Sequence, residues 1–274
     1  MAQNKTTIEL QNVQATLLLP LWGRAEETKK ANPRLKDETA VRIISQVDYD
    51  FSLIASSVHD ITQQEWILRS IYIDKAIRDF LLKHPRGTIV NIGAGLDTTF
   101  ERVDNGTLLW YDLDLPDVIS LRRKFIDESG RRKFIACSFL DKSWLTQIRV
   151  EDGVFFMAAG VFYYLEEGEL KRMLGRMAAV FPGGELIFDA SSPVGVKAAN
   201  EQLIKKVGLD EKSFLKWAIW KADEMLGWGI KFEFIREYPM YRHMKKGFTL
   251  RNKIIATVAD RYKMMYMIHL RFAG

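Results

Sequence analysis

A short apolar segment followed by two closely spaced glycines constrains this chain more than any other feature. Residues 88–92 are Thr-Ile-Val-Asn-Ile, and they lead into Gly93-Ala94-Gly95. A β-branched run of this kind is typical of a buried strand. Because glycine has no Cβ, the chain after the strand can turn tightly and bring its backbone close to a ligand. The pattern predicts a strand, a sharp turn and a ligand site in an α/β fold.

An acidic residue follows this turn at a distance that suits a bound nucleoside. A second apolar run, 108–113, leads to Asp114, nineteen positions after Gly95. A carboxylate at the end of a second strand can accept hydrogen bonds from both hydroxyls of a ribose. Asp112 is the alternative, because residues two apart on a strand point to the same face.

The third glycine of the dinucleotide fingerprint is absent. Thr98 occupies the position that would complete Gly-x-Gly-x-x-Gly, which disfavours a pyrophosphate ligand and therefore an NAD-dependent oxidoreductase. A cofactor with a ribose and no phosphates fits better, and S-adenosyl-L-methionine is the common one. A purely structural glycine turn is the alternative, but the combination of strand, turn and trailing acid disfavours it.

Composition indicates an ordinary globular protein. The 274 residues, 47% hydrophobic and 27% charged, can form one large α/β domain or a core with an insertion. No run reaches the roughly eighteen apolar residues of a membrane span, and the first nine residues contain no apolar signal segment. We therefore expect a cytoplasmic enzyme with no membrane partner. Cys137 is the single cysteine, and its apolar surroundings predict a buried strand residue.

The polar residues argue against metal and nucleic acid as partners. The four histidines do not have the spacing of metal ligands, so we expect no metal site. The net charge of +5 comes from basic residues in short clusters, which are typical of solvated faces. The chain also lacks the Asp/Asn-Pro-Pro-Tyr/Phe tetrad with which methyltransferases acting on base amino groups hold a flipped base. We expect no nucleic-acid partner.

From residue 88 onward, apolar runs alternate with helical patterns, which predicts a parallel sheet covered on both faces. Upstream, residues 61–83 have helical periodicity, and the first sixty residues are also mostly helical in pattern. Segment 196–227 follows the fifth predicted strand, and it is interpreted as a lid over the substrate or, with equal support, as a packed helical hairpin. The predicted strands are 88–92, 108–113, 133–137, 153–158 and 185–188, with 263–270 as the last strand.

Four motifs between residues 16 and 119 carry a resemblance. Residues 16–25, 67–74, 91–98 and 112–119 are TLLLPLWGRA, ILRSIYID, NIGAGLDT and DLDLPDVI. They resemble TLL-PL--RA, ARTR-FID, LGAGLDT and EVDLPEVI of the leucine carboxyl methyltransferase family, within its bacterial branch of tetracenomycin-type polyketide O-methyltransferases. The last two motifs are quite specific.

The resemblance implies a class I S-adenosyl-L-methionine-dependent methyltransferase fold. This is a Rossmann-like α/β architecture with a seven-stranded, mostly parallel sheet whose last strand is antiparallel, an N-terminal helical cap and a helical insertion after the fifth strand. On this basis the chain divides into a cap (1–85), a cofactor-binding core (86–194), a lid insertion (195–229) and C-terminal strands that complete the sheet (230–274).

The resemblance also assigns roles to individual positions. Arg69 would bind the methionine carboxylate, for which a planar guanidinium is suited. Gly93 and Gly95 would lie under the cofactor, and Asp114 would hold the ribose. The expected cofactor-binding residues are Arg69, Gly93, Ala94, Gly95, Asp112, Asp114, Leu115, Ser138, Phe139 and Ala159, and no catalytic residue is assigned.

Two positions depart from the family pattern. The family has Asp-Leu-Arg-Asp after its third strand to face the adenine amino group, whereas residues 138–141 are Ser-Phe-Leu-Asp. Adenine recognition would pass to Ser138 and the backbone near Phe139, or to Asp141. Residues 159–161 are Ala-Gly-Val where the family has Glu-Gly-Val, so a carboxylate on the cofactor side is missing. A non-catalytic relative is therefore one alternative.

The expected reaction is methyl transfer to a carboxylate or hydroxyl of a small organic, polyketide-like acceptor. Such a displacement requires alignment of the reacting atoms and exclusion of water. A carboxylate is already ionised at neutral pH, so the scarcity of histidine favours a carboxyl acceptor weakly, with His59 and His243 as candidates if a base is needed. The other alternative is a protein C-terminal carboxyl methyltransferase. Seven residues could wall the acceptor pocket, although most are expected in the core: Phe162, Tyr163, Tyr164, Trp217, Trp220, Met225 and Trp228.

Overall fold

A seven-stranded sheet forms the centre of the fold. The computed structural model describes residues 6–7, 12–52, 60–201 and 214–273. Its strands are β1 (Thr6–Thr7), β2 (Val47–Asp48), β3 (Thr88–Ile92), β4 (Leu109–Asp114), β5 (Arg132–Ala136), β6 (Val154–Ala158), β7 (Glu185–Ala190), β8 (Phe232–Pro239) and β9 (Tyr266–Phe272). The main sheet has the order β5-β4-β3-β6-β7-β9-β8. Strands β3 to β7 are parallel and β9 is antiparallel to its neighbours, so the predicted sheet is confirmed.

Helices cover both faces of this sheet. They are α1 (Asn12–Thr28), α2 (Glu38–Gln46), α3 (Asp60–Lys83), α4 (Thr99–Val103), α5 (Pro116–Arg122), α6 (Glu167–Val180), α7 (Pro193–Ala199) and α8 (Leu250–Arg261). Successive strand residues point to opposite faces. On β6, Phe155 and Met157 pack with α3, whereas Phe156 and Ala158 pack on the α6 side. Burial on both faces explains the continuous apolar strands. Within the described ranges, no helix has the length and apolar character needed to cross a membrane.

Most element boundaries follow the sequence pattern. Helix α3 ends just before His84-Pro85, and β3 has its predicted bounds. The prediction for Cys137 is wrong, because β5 ends at Ala136 and Cys137 is a half-buried residue in the bend that follows. The pairing of β4 with β5 stops there because Pro116 starts α5 directly after β4.

The last strand begins later than the apolar pattern predicts. Lys263 adopts a left-handed conformation with φ of 46° in the turn after α8. Strand β9 therefore starts at Tyr266. The edge strand β8 pairs with it, so the C-terminal part of the chain supplies two strands to the sheet.

The described part of the insertion after β7 packs onto the core. Trp217, Met225 and Trp228 join the apolar cluster on the α6 side of the sheet. The backbone amides of residues 216 and 217 donate to the carbonyl oxygen of Tyr163, which joins the segment to the loop after β6. Residues 202–213 lie outside the described residues. The lid over the substrate therefore stays a prediction, as does the four-part division of the chain.

Buried ion pairs join the N-terminal helices to the turn after β3. Arg24 of α1 donates from Nε to Asp37 Oδ2 at 2.9 Å, and Arg102 of α4 reaches the same oxygen at 2.8 Å and Asp74 Oδ2 at 2.8 Å. Burial opposes ionisation of Asp37, but Arg24 and Arg102 outweigh it and hold the pKa below its ordinary value. Thr98, at the position of the missing glycine, donates its hydroxyl to Asp37 at 2.5 Å. These contacts fix the N-terminal helices beside the glycine turn.

Candidate functional site

The glycine turn lies where the sheet changes direction of growth. The chain adds β4 and β5 on one side of β3 and then returns to add β6 on the other, and ligands bind at such switch points in open α/β sheets. Gly93 and Gly95 have φ values of 65° and 44°, a left-handed conformation that favours glycine. A Cβ on Gly93 would lie 2.4 Å from Val161 Cγ2 in the loop after β6. Both the turn and its neighbour therefore require glycine at this position.

The carboxylate of Asp114 is hydrogen-bonded directly to this turn. The amide of Gly95 donates to Asp114 Oδ2 at 2.7 Å, and the amide of Leu115 donates to Oδ1 at 2.7 Å. Burial raises the pKa of the carboxyl group, although the two backbone hydrogen bonds oppose that rise. The side chain is only half-buried. The glycine turn and Asp114 are thus in direct contact at the carboxyl end of the sheet, while their role in binding a nucleoside stays a prediction.

Asp112 has a different environment, although it points to the same face of β4. It is completely buried. Its carboxylate accepts from Asn91 Nδ2 at 3.1 Å and Trp110 Nε1 at 2.8 Å. It also pairs with Arg122 Nη2 at 3.0 Å and Arg132 Nε at 2.9 Å. Four protein donors surround this carboxylate, whereas the half-buried Asp114 carboxylate accepts from two backbone amides.

Arg122 of α5 connects Asp112 to the glycine turn, because it contacts both. Its Nη1 donates to the carbonyl oxygens of Ala94 and Gly95 at 3.1 and 2.8 Å, and its Nη2 donates to that of Asp97 at 2.8 Å. The side chain is fully buried. The turn is therefore held through its carbonyls by Arg122 and through an amide by Asp114. Sequence reasoning missed Arg122, because nothing in its local pattern distinguishes it from the neighbouring basic residues.

Arg69 meets a carboxylate that sequence reasoning also missed. Its Nη1 donates to Asp189 Oδ2 at 2.7 Å, and the amide of Gly160 donates to Asp189 Oδ1 at 2.7 Å. Asp189 is fully buried at the end of β7. Burial disfavours the charged guanidinium, but the carboxylate of Asp189 outweighs it and raises the pKa of Arg69. The available signal was the acid inside the apolar run Leu-Ile-Phe-Asp-Ala of residues 186–190.

A second acidic group lies one helical turn before Arg69. Glu65 Oε2 accepts the hydroxyl of Tyr241 at 2.7 Å. Burial raises the pKa of Glu65 to about 7, while the Tyr241 hydrogen bond and Arg69 lower it and Asp189 raises it. Residues four apart share one face of a helix, so the spacing from Arg69 was the signal that could have pointed to Glu65.

The other predicted residues lie at the same edge of the sheet. Ser138 and Phe139 follow β5, and Ala159 follows β6. Ser138 Oγ accepts the amide of Leu140 at 3.2 Å, and the carbonyl of Phe139 accepts Trp144 Nε1 at 2.9 Å. The carboxyl ends of β3, β4, β5 and β6 therefore bring together the residues expected to surround the cofactor.

The two histidines suggested as bases and the aromatic residues suggested as pocket walls lie in different parts of the structure. His243 is exposed in the loop after β8, and His59 lies outside the described residues. Trp217 and Trp228 are core residues, as expected for most of the aromatic set. The hydroxyl of Tyr163 instead lies beside Gly160 and Arg69, since a Cβ on Gly160 would be 3.2 Å from it and 3.2 Å from Arg69 Nη1.

The residues at this edge fit S-adenosyl-L-methionine. The turn presents backbone without a Cβ at Gly93 and Gly95 directly beside Asp114, and the half-buried Asp114 carboxylate has lone pairs for two ribose hydroxyls. Among the described residues, Arg69 uses Nη1 to bind Asp189, and a guanidinium has five N–H donors in all. Its remaining donors suit the carboxylate of a methionine moiety.

Comparison with known proteins decides the family. The leucine carboxyl methyltransferase family model matches residues 18–178. The chain belongs to the leucine carboxyl methyltransferase family. It is therefore an S-adenosyl-L-methionine-dependent methyltransferase, and the resemblance in its four motifs is confirmed.

Two curated relatives match most of the chain. The tetracenomycin polyketide synthesis O-methyltransferase TcmP of Streptomyces glaucescens is 32% identical over 204 residues, 74% of this chain and 75% of the relative. The S-adenosyl-L-methionine-dependent methyltransferase dpfgK of Gibberella zeae is 27% identical over 215 residues, 72% of each chain.

Solved structures share the fold at low sequence identity. A DUF574 family protein from Streptomyces avermitilis has a TM-score of 0.60 at 10% identity and covers 93% of this chain and 96% of its own. A methyltransferase dependent on S-adenosylmethionine from Anabaena variabilis has a TM-score of 0.51 at 14% identity, with 74% and 84% coverage. These likenesses support the class I architecture alone.

Proposed function

We propose that this methyltransferase transfers the methyl group to an oxygen atom, a carboxylate or hydroxyl, of a small organic acceptor. The observation that carries the proposal is the similarity to TcmP, named as a polyketide O-methyltransferase, over three quarters of both chains. The site adds support, because charged residues and tyrosines lie close together at the carboxyl end of the sheet, where the cofactor is expected. Such a mixture suits an acceptor with an apolar body and a polar reacting group.

The cofactor would lie across the carboxyl ends of the first strands of the sheet. Asp114 would accept the two ribose hydroxyls, and Gly93 to Gly95 would pass beneath the nucleoside. The exposed side chain of Leu115 and the backbone near Ser138 and Phe139 would border the adenine. Arg69 would bind the methionine carboxylate, with Asp189 holding the guanidinium in place. When bound, the cofactor supplies an electrophilic methyl group on a cationic sulfur.

The acceptor would approach beside the part of α3 that precedes Arg69, which extends past the carboxyl ends of the strands. Helix α3 runs antiparallel to the parallel strands. Arg69 contacts Asp189 at the end of β7, whereas the rings of Phe80 and Phe155, near the start of β6, have centroids 5.3 Å apart. Glu65, one turn earlier on the helix, therefore lies beyond the carboxyl edge. Tyr163, with a pKa that burial raises well above its ordinary value, stays a hydrogen-bond donor there.

In this proposal Glu65 would accept the proton that a hydroxyl acceptor releases. Its neighbour Tyr241 donates to Oε2 and fixes the carboxylate. A proton acceptor works best with a pKa near the working pH, and burial gives Glu65 a pKa of about 7. A carboxylate acceptor would not need this group. The role of Glu65 therefore separates the two acceptor classes.

The test is methyl transfer from labelled S-adenosyl-L-methionine to a panel of aromatic acids and phenols. Labelled small-molecule product is the expected result. Calorimetry with S-adenosyl-L-methionine and S-adenosylhomocysteine runs in parallel. Cofactor binding without transfer to any acceptor would favour a non-catalytic relative, and absence of binding to either would contradict the assignment of the site.

A protein carboxyl terminus is the second candidate acceptor, because the family description names a leucine carboxyl group. The same assay would include peptides that end in leucine with a free carboxylate, and matched peptides with an amidated end. Transfer that is confined to the free-acid peptides would replace the small-molecule proposal.

A further inference from the structure

Helix α8 exposes a line of large apolar side chains. Leu250, Ile254 and Val258 are 77%, 58% and 50% exposed, and Ile255 and Tyr262 lie beside them at 37% and 48%. We call these five residues the α8 stripe. Residues four apart lie one above another on a helix, so the first three form a continuous ridge.

The stripe reverses the usual orientation of a surface helix. A helix on a globular protein normally turns its apolar side chains toward the core. In α8 the residue that is fully buried is Ala256. At about 100° per residue, Ala256 lies on the side of the helix opposite the ridge. The small side chain thus faces the protein while the large ones face solvent. Exposure of a contiguous apolar ridge is typical of an interaction surface.

The chain's positive charge is concentrated around the same helix. Residues 242–263 contain seven Lys or Arg and one acid, Asp260, a net charge of +6. The other residues have 33 Lys or Arg against 34 Asp or Glu, a net charge of −1, so the overall +5 arises entirely from this segment. Lys263 pairs with Glu237. The exposed cations that flank the stripe in the chain are Arg242, Lys246, Arg251, Lys253 and Arg261.

Charge and shape together identify the partner. A partner that complements the cations must have an anionic surface. A partner that buries the ridge must also have an apolar layer beneath that surface. Nucleic acid offers phosphates but no apolar layer in which Leu, Ile and Val side chains could be buried. An acidic protein would need a groove complementary to this convex ridge. An anionic lipid surface needs no such groove, because headgroups surround a helix that rests at the interface.

We propose that the α8 stripe and its flanking cations bind reversibly to anionic lipid surfaces. The apolar ridge would enter the boundary between headgroups and acyl chains, and the cations would contact the anionic headgroups. Among the described residues no helix can span a membrane, and the sequence predicts no membrane partner. Neither point bears on this mode of binding, because an interfacial helix lies on the bilayer and does not cross it. The proposal is independent of the methyl acceptor.

The experiment is vesicle flotation with the full chain. Vesicles of pure phosphatidylcholine are compared with vesicles of 70% phosphatidylcholine and 30% phosphatidylglycerol. We expect binding to the anionic vesicles that exceeds binding to the neutral ones by more than about tenfold and weakens in high salt. Equal binding to both compositions, or binding to neither, would overturn the proposal.

Two triple variants identify the surface. Leu250→Ser, Ile254→Ser and Val258→Ser together remove the ridge at exposed positions, so the fold should be retained. Leu82→Ser, Val180→Ser and Leu226→Ser remove apolar side chains of comparable exposure, 82%, 50% and 53%, elsewhere. We expect the first variant to lose vesicle binding and the second to keep it, with unchanged thermal unfolding in both. Equal effects of the two variants would contradict the assignment.

Sedimentation velocity completes the test. A dimer that is dissociated only by the α8 variant would mean that the partner of the stripe is a second copy of the chain and not lipid.

Discussion

The amide of Gly95 and the carboxylate of Asp114 are joined by a hydrogen bond of 2.7 Å. The two residues come from different strand ends, and each restricts the other. The bond orients Asp114 Oδ2 against the turn, while the left-handed backbone at Gly95, with φ of 44°, directs its amide to that oxygen. Asp114 and the glycine turn are therefore a single structural unit, which would limit the reorganisation required of a ligand site at this position.

Replacing Asp114 by Ala tests the proposed ribose contact. We expect the affinity for S-adenosyl-L-methionine to fall by about 1–3 kcal/mol, because charge-assisted hydrogen bonds to the ribose would be lost. Calorimetric titration measures the change. Asp127→Ala, at an exposed position beyond α5, is the matched control and should leave the affinity unchanged. An Asp114 variant that binds like wild type would move the ribose role away from this residue.

Replacing Asp112 by Ala should damage stability more than binding. The change would leave the buried guanidinium groups of Arg122 and Arg132 without their shared carboxylate, and loss of one partner of a buried pair costs about 3–5 kcal/mol. Urea unfolding followed by circular dichroism measures this loss. A variant as stable as wild type but deficient in cofactor binding would show instead that Asp112 contacts the ligand.

The elements around the cofactor edge could be predicted because their patterns are local. Burial on both faces makes strands such as β3 continuously apolar, and the turn at Gly93 requires a residue without a Cβ. Contacts between distant segments could not be predicted in this way. Asp189 meets Arg69 across 120 positions, and Tyr241 meets Glu65 across 176. Such pairs are created by the topology of the fold, so the sequence around one member does not identify the other.

Replacing Gly93 by Ala separates strain from steric overlap. The new Cβ would lie 2.4 Å from Val161 Cγ2, and the backbone has φ of 65°. Gly106→Ala is the control, since Gly106 has φ of 84° and no atom within 4 Å of an added Cβ. Left-handed strain alone costs about 1–2 kcal/mol, so we expect Gly93→Ala to lose more unfolding free energy than Gly106→Ala. Adding Val161→Ala should recover part of the difference, and a double-mutant cycle measures it. Equal losses at the two glycines, without recovery, would exclude the overlap.

The raised pKa of Glu65 predicts a pH dependence of stability. Burial raises the folded-state pKa of Glu65 to about 7 from an ordinary value of 4.5. Between these values the folded chain retains a proton that the unfolded chain releases. The free energy of unfolding should therefore fall as the pH rises from 4.5 to 7, by an amount on the order of 3 kcal/mol, and then level off.

Glu65→Gln should abolish this part of the pH profile, which urea unfolding across the range measures. Glu38→Gln, at an exposed carboxylate, should leave the profile intact. Three groups act on Glu65 from the elements around it: the Tyr241 hydroxyl and Arg69 lower its pKa, and Asp189 raises it. Tyr241→Phe should consequently move the fall in stability to higher pH, because it removes a donor that stabilises the ionised carboxylate. If Glu65→Gln and wild type lose stability in parallel over this range, another group is responsible, and Glu65 would lose its place as the proton acceptor for a hydroxyl substrate.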